Sequence, residues 1–144
     1  MGLNDHAQYQ LATKALLFKD DKVLVLITPD GYIDFPGGRV DATEVDLSWQ
    51  EALRRELDEE IGSQIQVDIG KTLFVSKRQY HKEGGIKRIA AIFFECKHIG
   101  GEVALSDEHS AHHWMTPQQL LTTDLKYVSE DEKSQLERYF TNAE

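Results

Sequence analysis

The stretch that most constrains the fold runs from Gly37 to Gly62 and reads GGRVDATEVDLSWQEALRRELDEEIG. It opens with a glycine pair after Phe35-Pro36 and closes in a carboxylate cluster, Arg55-Glu56-Leu57-Asp58-Glu59-Glu60-Ile61-Gly62. A helix starting near Thr43 to Asp46 and ending at Ile61 accounts for most of it. Trp49, Leu53, Leu57 and Ile61 recur every fourth residue and predict one apolar stripe. Gly62 is a natural C-terminal stop, because the residue after a helix often takes a conformation that only glycine adopts freely. Glu56, Glu59 and Glu60 are spaced i, i+3, i+4 and predict a second, acidic face.

Like charges at this spacing repel by roughly a few tenths of a kcal/mol per pair on an exposed helix. They also fall in the last turn, where the helix dipole favours cations. Two accounts of that face stay open. One is a solvated surface on which Arg55 pairs with Glu51 and Glu59 at i±4. The other is a site for a hard divalent cation: Mg²⁺ takes oxygen ligands, keeps several waters, and is shared between carboxylates and a substrate phosphate. The glycine pair upstream and Gly62 downstream favour the cation.

These residues resemble the Nudix box, G-x5-E-x7-R-E-U-x-E-E-x-G-U, where U is a bulky aliphatic. Gly38-x5-Glu44 fits, and so does Arg55-Glu56-Leu57-x-Glu59-Glu60-x-Gly62. Ten residues instead of seven separate Glu44 from Arg55, and Ser63 stands where the pattern has an aliphatic residue. The three extra residues lie within Val45 to Ala52, short of a full 3.6-residue turn. A lengthened loop or an irregular first turn is therefore expected, which bears on Glu44 and not on the glutamates downstream.

The resemblance covers most of the chain. It implies an α/β (α+β) Nudix fold, a mixed β-sheet sandwiched between α-helices, as a single domain over residues 1–144 with residues 1–8 a frayed tail. It implies metal-dependent hydrolysis of a diphosphate linkage in a nucleoside diphosphate joined to a group X, with Mg²⁺ as cofactor and Mn²⁺ as a substitute. The implied metal ligands are Glu56, Glu59, Glu60 and the backbone carbonyl of Gly37, with Arg55 orienting the carboxylates. Glu108-His109 and Trp114 resemble the family pattern E-H-x-x-x-x-W, which makes Glu108 a candidate further ligand or general base. The catalytic candidates are thus Glu59, Glu60, Arg55 and Glu108. A plain surface glutamate is the competing account of Glu108.

One cluster in this acidic chain is basic: Lys77 to Arg88 carries Lys77, Arg78, Lys82, Lys87 and Arg88, with Glu83-Gly84-Gly85 at a hairpin tip. It is either a solvated tip or an edge that neutralises a polyphosphate. On the second account Arg78, Lys87 and Arg88 are the candidate contacts, nearer the strands than Lys82. Tyr32, Phe35 and Tyr80 are candidate base-stacking rings, with packing as the alternative for each. Tyr80 also falls where the diadenosine-polyphosphate subclass of the family carries a tyrosine. The proline that marks the ADP-ribose subclass has no counterpart, since the prolines are Pro29, Pro36 and Pro117. A nucleoside triphosphate or a dinucleoside polyphosphate is the expected substrate. The alternative is a noncatalytic nucleotide-binding or sensing module, motivated by the box insertion and Ser63. An isoprenoid-diphosphate isomerase of the same fold would need a catalytic cysteine, and Cys96 falls on an expected core strand.

Composition narrows the partners. The formal net charge of −9 disfavours nonspecific binding to nucleic acid or anionic membranes. No run of eighteen apolar residues predicts a membrane span. A start of MGLNDHAQYQ lacks a signal-peptide pattern, and a single cysteine fits a reducing compartment, so a cytoplasmic protein is expected. His109, His112 and His113 match no zinc template. Small domains of this family are often dimers, which leaves a homodimer open.

The remaining elements follow from local patterns. Residues 9–18 and 22–28 predict a hairpin turned by Asp20-Asp21, its second strand buried on both faces. Tyr32 to Phe35 predicts a short strand, Gln64 to Ser76 a strand interrupted at Gly70, and Ile86 to Cys96 a central strand. Thr116-Pro117-x-Gln119 predicts a capped helix start, and Ser129-x-x-Glu132 a last helix to Phe140 with Leu136, Tyr139 and Phe140 inward.

Overall fold

The computed structural model of the chain describes residues 5–107, 109 and 111–142. Strand β1 (Gln10–Lys19) turns at Asp20, whose φ is 57°, into β2 (Lys22–Ile27). Aspartate tolerates that left-handed conformation better than most residues. Val23, Leu24, Val25 and Leu26 are all fully buried, as expected of a strand covered on both faces. Two short strands follow, β3 (Ile33–Asp34) and β4 (Gly37–Arg39), then helix α1 (Trp49–Ile61). The long hairpin β5 (Gln66–Lys82) and β6 (Gly85–Gly100) comes next, then β7 (Ala111–Met115), α2 (Pro117–Thr122) and α3 (Glu130–Asn142).

The strands form one mixed sheet in the order β3-β2-β1-β6-β5, with β4 on β1 and β7 on β2. The β1–β6 pairing is parallel and the others are antiparallel. Side chains that alternate along β1 and β6 build two cores. Ala15, Leu17, Ile92, Phe94 and Cys96 pack on Leu53, Leu57 and Ile61 of α1. Ala12, Leu16, Ala91 and Phe93 pack with Leu120 of α2 and Leu136 of α3 on the other face. This is the expected mixed sheet between helices.

Helix α1 begins later than the sequence pattern predicts. Residues 42–44 form a 3-10 turn closed by a capping box between Asp41 and Glu44, and the α-helix starts after a second box between Ser48 and Glu51. Each box satisfies backbone N–H groups that a helix start leaves without partners. The three extra residues are thus taken up outside the helix. As a consequence Trp49 leaves the apolar stripe and is 46% exposed, with Val45 and Leu47 exposed beside it. Strand β5 is longer than expected and passes Gly70 without ending, with register irregularities between Ile69 and Phe74. Strand β6 likewise runs on to Gly100. The remaining helix starts fall where the sequence places them: Thr116 caps Gln119, and Ser129 Oγ accepts from the N–H of Glu132.

Candidate active site at the glycine pair and the carboxylate helix

The site forms where β4 leaves the edge of β1 and meets the end of α1. Gly37 has a φ of 134°, and a Cβ there would lie 2.0 Å from the carbonyl oxygen of Thr13. No side chain fits, so this close passage requires glycine. A Cβ on Gly38 would lie 2.6 Å from Oε2 of Glu56, so the second glycine gives the carboxylate its room.

Of the expected ligands, Glu60 is the most buried, with its side chain 6% exposed. Its Oε1 accepts from the N–H of Gly37 at 2.7 Å. Burial pushes the Glu60 carboxyl up to about 7, against the pull of Lys14, the Gly37 N–H and His109. Glu56 is raised as well, by burial first, opposed by Arg55 and reinforced by the charges of Glu59 and Glu44. Glu59 stands most exposed of the three. Arg55 organises the cluster: Nε donates to Glu44 Oε2, Nη2 to Glu56 Oε1 at 2.7 Å and Nη1 to Glu59 Oε1 at 2.5 Å. The Arg55 guanidinium holds the buried Glu44 carboxyl below its usual range. Glu44 is therefore a partner of Arg55, despite the insertion.

The carbonyl oxygen of Gly37 accepts from Lys14 Nζ at 3.3 Å, and the same ammonium reaches Phe35 O at 3.0 Å and Asp34 Oδ1 at 3.3 Å. Asp34 Oδ1 also accepts from Arg78 Nη2 at 2.8 Å and the Phe35 N–H at 2.7 Å. Burial would raise the Asp34 carboxyl, but Lys14, His109 and Arg78 hold it well below the usual range. His109 lies between the two centres, Nε2 3.6 Å from Asp34 Oδ2 and Nδ1 3.6 Å from Glu60 Oε2. These contacts raise its pKa, with the Asp34 hydrogen bond the largest cause. Sequence reasoning missed Lys14, Asp34 and the bridging role of His109. A lysine inside an apolar β1 pattern was the available signal.

Three substrate candidates change character. Phe35 is fully buried and packs edge-on against Phe93 at 5.4 Å, so it is core and stacks on no ligand. Arg78 is buried too. Its Nε and Nη2 are taken by Glu132, at 2.5 Å and 2.9 Å, and by Asp34, and the residue also lines a cavity with Gly38. Arg88 pairs with Gln79 in the β5–β6 register and so faces away from Tyr80. Lys87, opposite Tyr80, shares its face. Tyr80 lines two cavities, one with Tyr32 and Asp34, the other with Gly38, Arg39 and Lys82. The cations that line the cavity with Gly38 are Lys14, Arg39, Arg78 and Lys82, and Arg88 is not among them. Glu108 lies outside the described residues. Cys96 is buried in the core and its thiol is pushed up to about 12, which leaves it inert as a nucleophile.

Among the described residues no group of three His, Cys, Asp or Glu side chains is already gathered around one point. The donor set still fits a hard cation: carboxylate oxygens on successive turns of one helix, beside a glycine backbone cut to make room for Glu56.

The NUDIX domain family model matches residues 8–139. A comparison with curated proteins gives no match. Solved structures do match. The E. coli ORF135 protein is 25% identical with a TM-score of 0.72, over 93% of this chain and 90% of that one. A MutT protein from Methanosarcina mazei Go1 is 24% identical with a TM-score of 0.76, over 94% and 96% of the two chains. An ADP-ribose pyrophosphatase from Streptococcus suis 89-1591 is 23% identical with a TM-score of 0.68, over 95% of each chain. The chain belongs to the NUDIX domain family. No helix among the described residues is long and apolar enough to cross a membrane.

Proposed function

We propose that this protein hydrolyses a diphosphate linkage in a nucleoside diphosphate joined to X, with Mg²⁺ or Mn²⁺, and that X is a further phosphate chain. The observation that carries the reading is the union of Gly38, Glu56 and Arg55, in which a side-chain-free backbone and a three-way guanidinium fork hold carboxylates together. A solvated helix face needs neither.

Glu56, Glu59 and Glu60 would hold the cation, with the Gly37 carbonyl beside them once Lys14 yields it. The bound cation would neutralise the anionic diphosphate oxygens and ease deprotonation of the attacking water. The chain's own groups do the rest. Arg55 keeps Glu56 and Glu59 apart and aimed. The Gly37 N–H orients Glu60. Arg39 and Lys82 offer charge to the phosphate chain from the cavity next to Gly38. The water's proton passes to a carboxylate drawn from Glu56, Glu59, Glu60 and Glu108.

The test is phosphate or pyrophosphate release with and without Mg²⁺, across nucleoside triphosphates, dinucleoside polyphosphates, ADP-ribose and nucleotide sugars. Glu59→Gln, Glu60→Gln and Glu108→Gln serve as variants. Metal-dependent turnover that falls on the order of a hundredfold or more in folded Glu60→Gln is expected. Unchanged turnover in that variant overturns the ligand assignment, and nucleotide binding without any turnover favours a sensing module.

A further inference from the structure

Lys14 stands in a strand that runs on as buried Ala15, Leu16 and Leu17. Its side chain is only 6% exposed, and among the described residues it is the one buried lysine. An ammonium taken out of water is costly unless acceptors meet its three protons. Three oxygens do so: Phe35 O at 3.0 Å, Gly37 O at 3.3 Å and Asp34 Oδ1 at 3.3 Å. Main-chain carbonyls and a carboxylate are also the ligands that a hard metal ion takes. Asp34 has other donors at Oδ1, Arg78 Nη2 and the Phe35 N–H, with the His109 ring facing Oδ2. The Lys14 charge also acts on Glu60, and its side chain lines the cavity that holds Gly38. The ammonium thus sits on one candidate metal ligand and within the field of another.

Resting on the ligand assignment of the hydrolase reading above, we propose that Lys14 is a tethered rival of the divalent cation, one that holds the Gly37 carbonyl and sets how tightly the ion binds. The contest has two parts. The ion gains the Gly37 oxygen only as the ammonium gives it up. It also binds beside a like charge, which a buried position screens poorly. Both parts weaken binding. The tether keeps the ammonium in place, since Asp34 and the Phe35 carbonyl still hold it when Gly37 is released. The anionic oxygens of a diphosphate offset the repulsion, so the ion and the substrate each strengthen the binding of the other.

The experiment measures Mn²⁺ affinity by calorimetry and by electron paramagnetic resonance, with no substrate present. Lys14→Gln keeps an amide donor for the carbonyls and loses the charge. It should bind Mn²⁺ more tightly, on the order of tenfold. Damage to the pocket would weaken binding instead, so the sign separates this role from a merely structural one. Lys22→Gln removes the same charge from an exposed position opposite Lys19, about 16 Å along β1 from Lys14, and should leave the affinity within about twofold. Unchanged or weaker binding in folded Lys14→Gln, or equal tightening in Lys22→Gln, would each overturn the proposal. Should Lys14→Gln fail to fold, the wild type still decides it. Its buried Lys14 ammonium exchanges protons slowly, and the nitrogen resonance of that group should shift as diamagnetic Mg²⁺ is added. A resonance unmoved at saturating Mg²⁺ sinks the proposal. Nucleotide turnover by the wild type is scored separately. Tighter Mn²⁺ binding in Lys14→Gln without any turnover sinks the hydrolase reading and leaves this inference standing. Turnover with an unmoved Mn²⁺ affinity does the reverse, and neither metal binding nor turnover removes both.

Discussion

Arg55 meets Glu44, Glu56 and Glu59 with three different nitrogens of one planar fork. These bonds raise its pKa, the one to Glu44 contributing most. A lysine keeps the charge but loses that geometry, because an ammonium is a compact point charge on a flexible stem. Arg55→Lys is therefore expected to fold and to lose about tenfold or more in kcat, with a smaller change in KM, as Glu56 and Glu59 drift from their positions. Steady-state kinetics beside a circular dichroism spectrum checks it. A kcat within twofold of the wild type would make Arg55 a mere surface partner of its neighbours. The contrast with Arg78 is one of surroundings. Both guanidiniums sit among carboxylates, but Arg78 is buried against Glu132 and Asp34, and its role is to tie α3 to the sheet.

The register of α1 explains why the family spacing tolerates three more residues. Its Ser48–Glu51 box starts the helix afresh, so the carboxylates are counted from Ser48 and not from Glu44. Ser48→Ala removes one cap and is expected to cost about 1 kcal/mol, or a Tm shift of about 3 °C for a chain of this size. Turnover should stay within twofold, since Glu56 lies about two turns further on. Thermal melts and kcat together test this. A large kcat loss with little change in Tm would mean that the helix start itself aims the carboxylates. The local signals were legible in the sequence at this scale: the hairpin at Asp20, the Thr116 cap, the Glu56–Glu59–Glu60 face and the Leu53–Leu57–Ile61 stripe all depend on neighbours within a few residues. Trp49 was misplaced because the fourfold spacing says nothing of where the first turn begins. Phe35, Arg78 and Asp34 were not legible, since their partners stand 44 and 54 residues away in the case of Arg78 and on other strands throughout. A basic residue in a basic cluster reads as solvated until a distant Glu132 is found beside it.

Across the whole molecule a chain of buried charges runs from Glu132 on α3 through Arg78 and Asp34 to Lys14, His109 and Glu60 at the end of α1. Its members titrate with opposite consequences for stability. Asp34 is held well below its ordinary value of 3.8, so its contribution is complete above that value and is lost as pH falls through the folded one. Glu60 is raised from 4.5 to about 7, so the folded state holds a proton that the unfolded chain has released across that interval. Stability therefore declines as pH rises from about 4.5 to 7. His109 adds to the decline at its upper end, because a raised histidine stabilises below its ordinary 6.5 and loses that stabilisation above it. The groups facing Glu60 are Lys14, His109, Asp34 and the Gly37 N–H, and none of them reverses this sign. Thermal melts without metal should thus climb from strong acid to a maximum near pH 4 to 5 and then fall towards neutrality. Glu60→Gln should flatten the fall and leave the His109 part. Mg²⁺ binds the deprotonated carboxylate, so the gain in Tm that it gives the wild type should grow as pH rises through 7. A gain independent of pH, or equal in Glu60→Gln, would place the cation elsewhere than on Glu60.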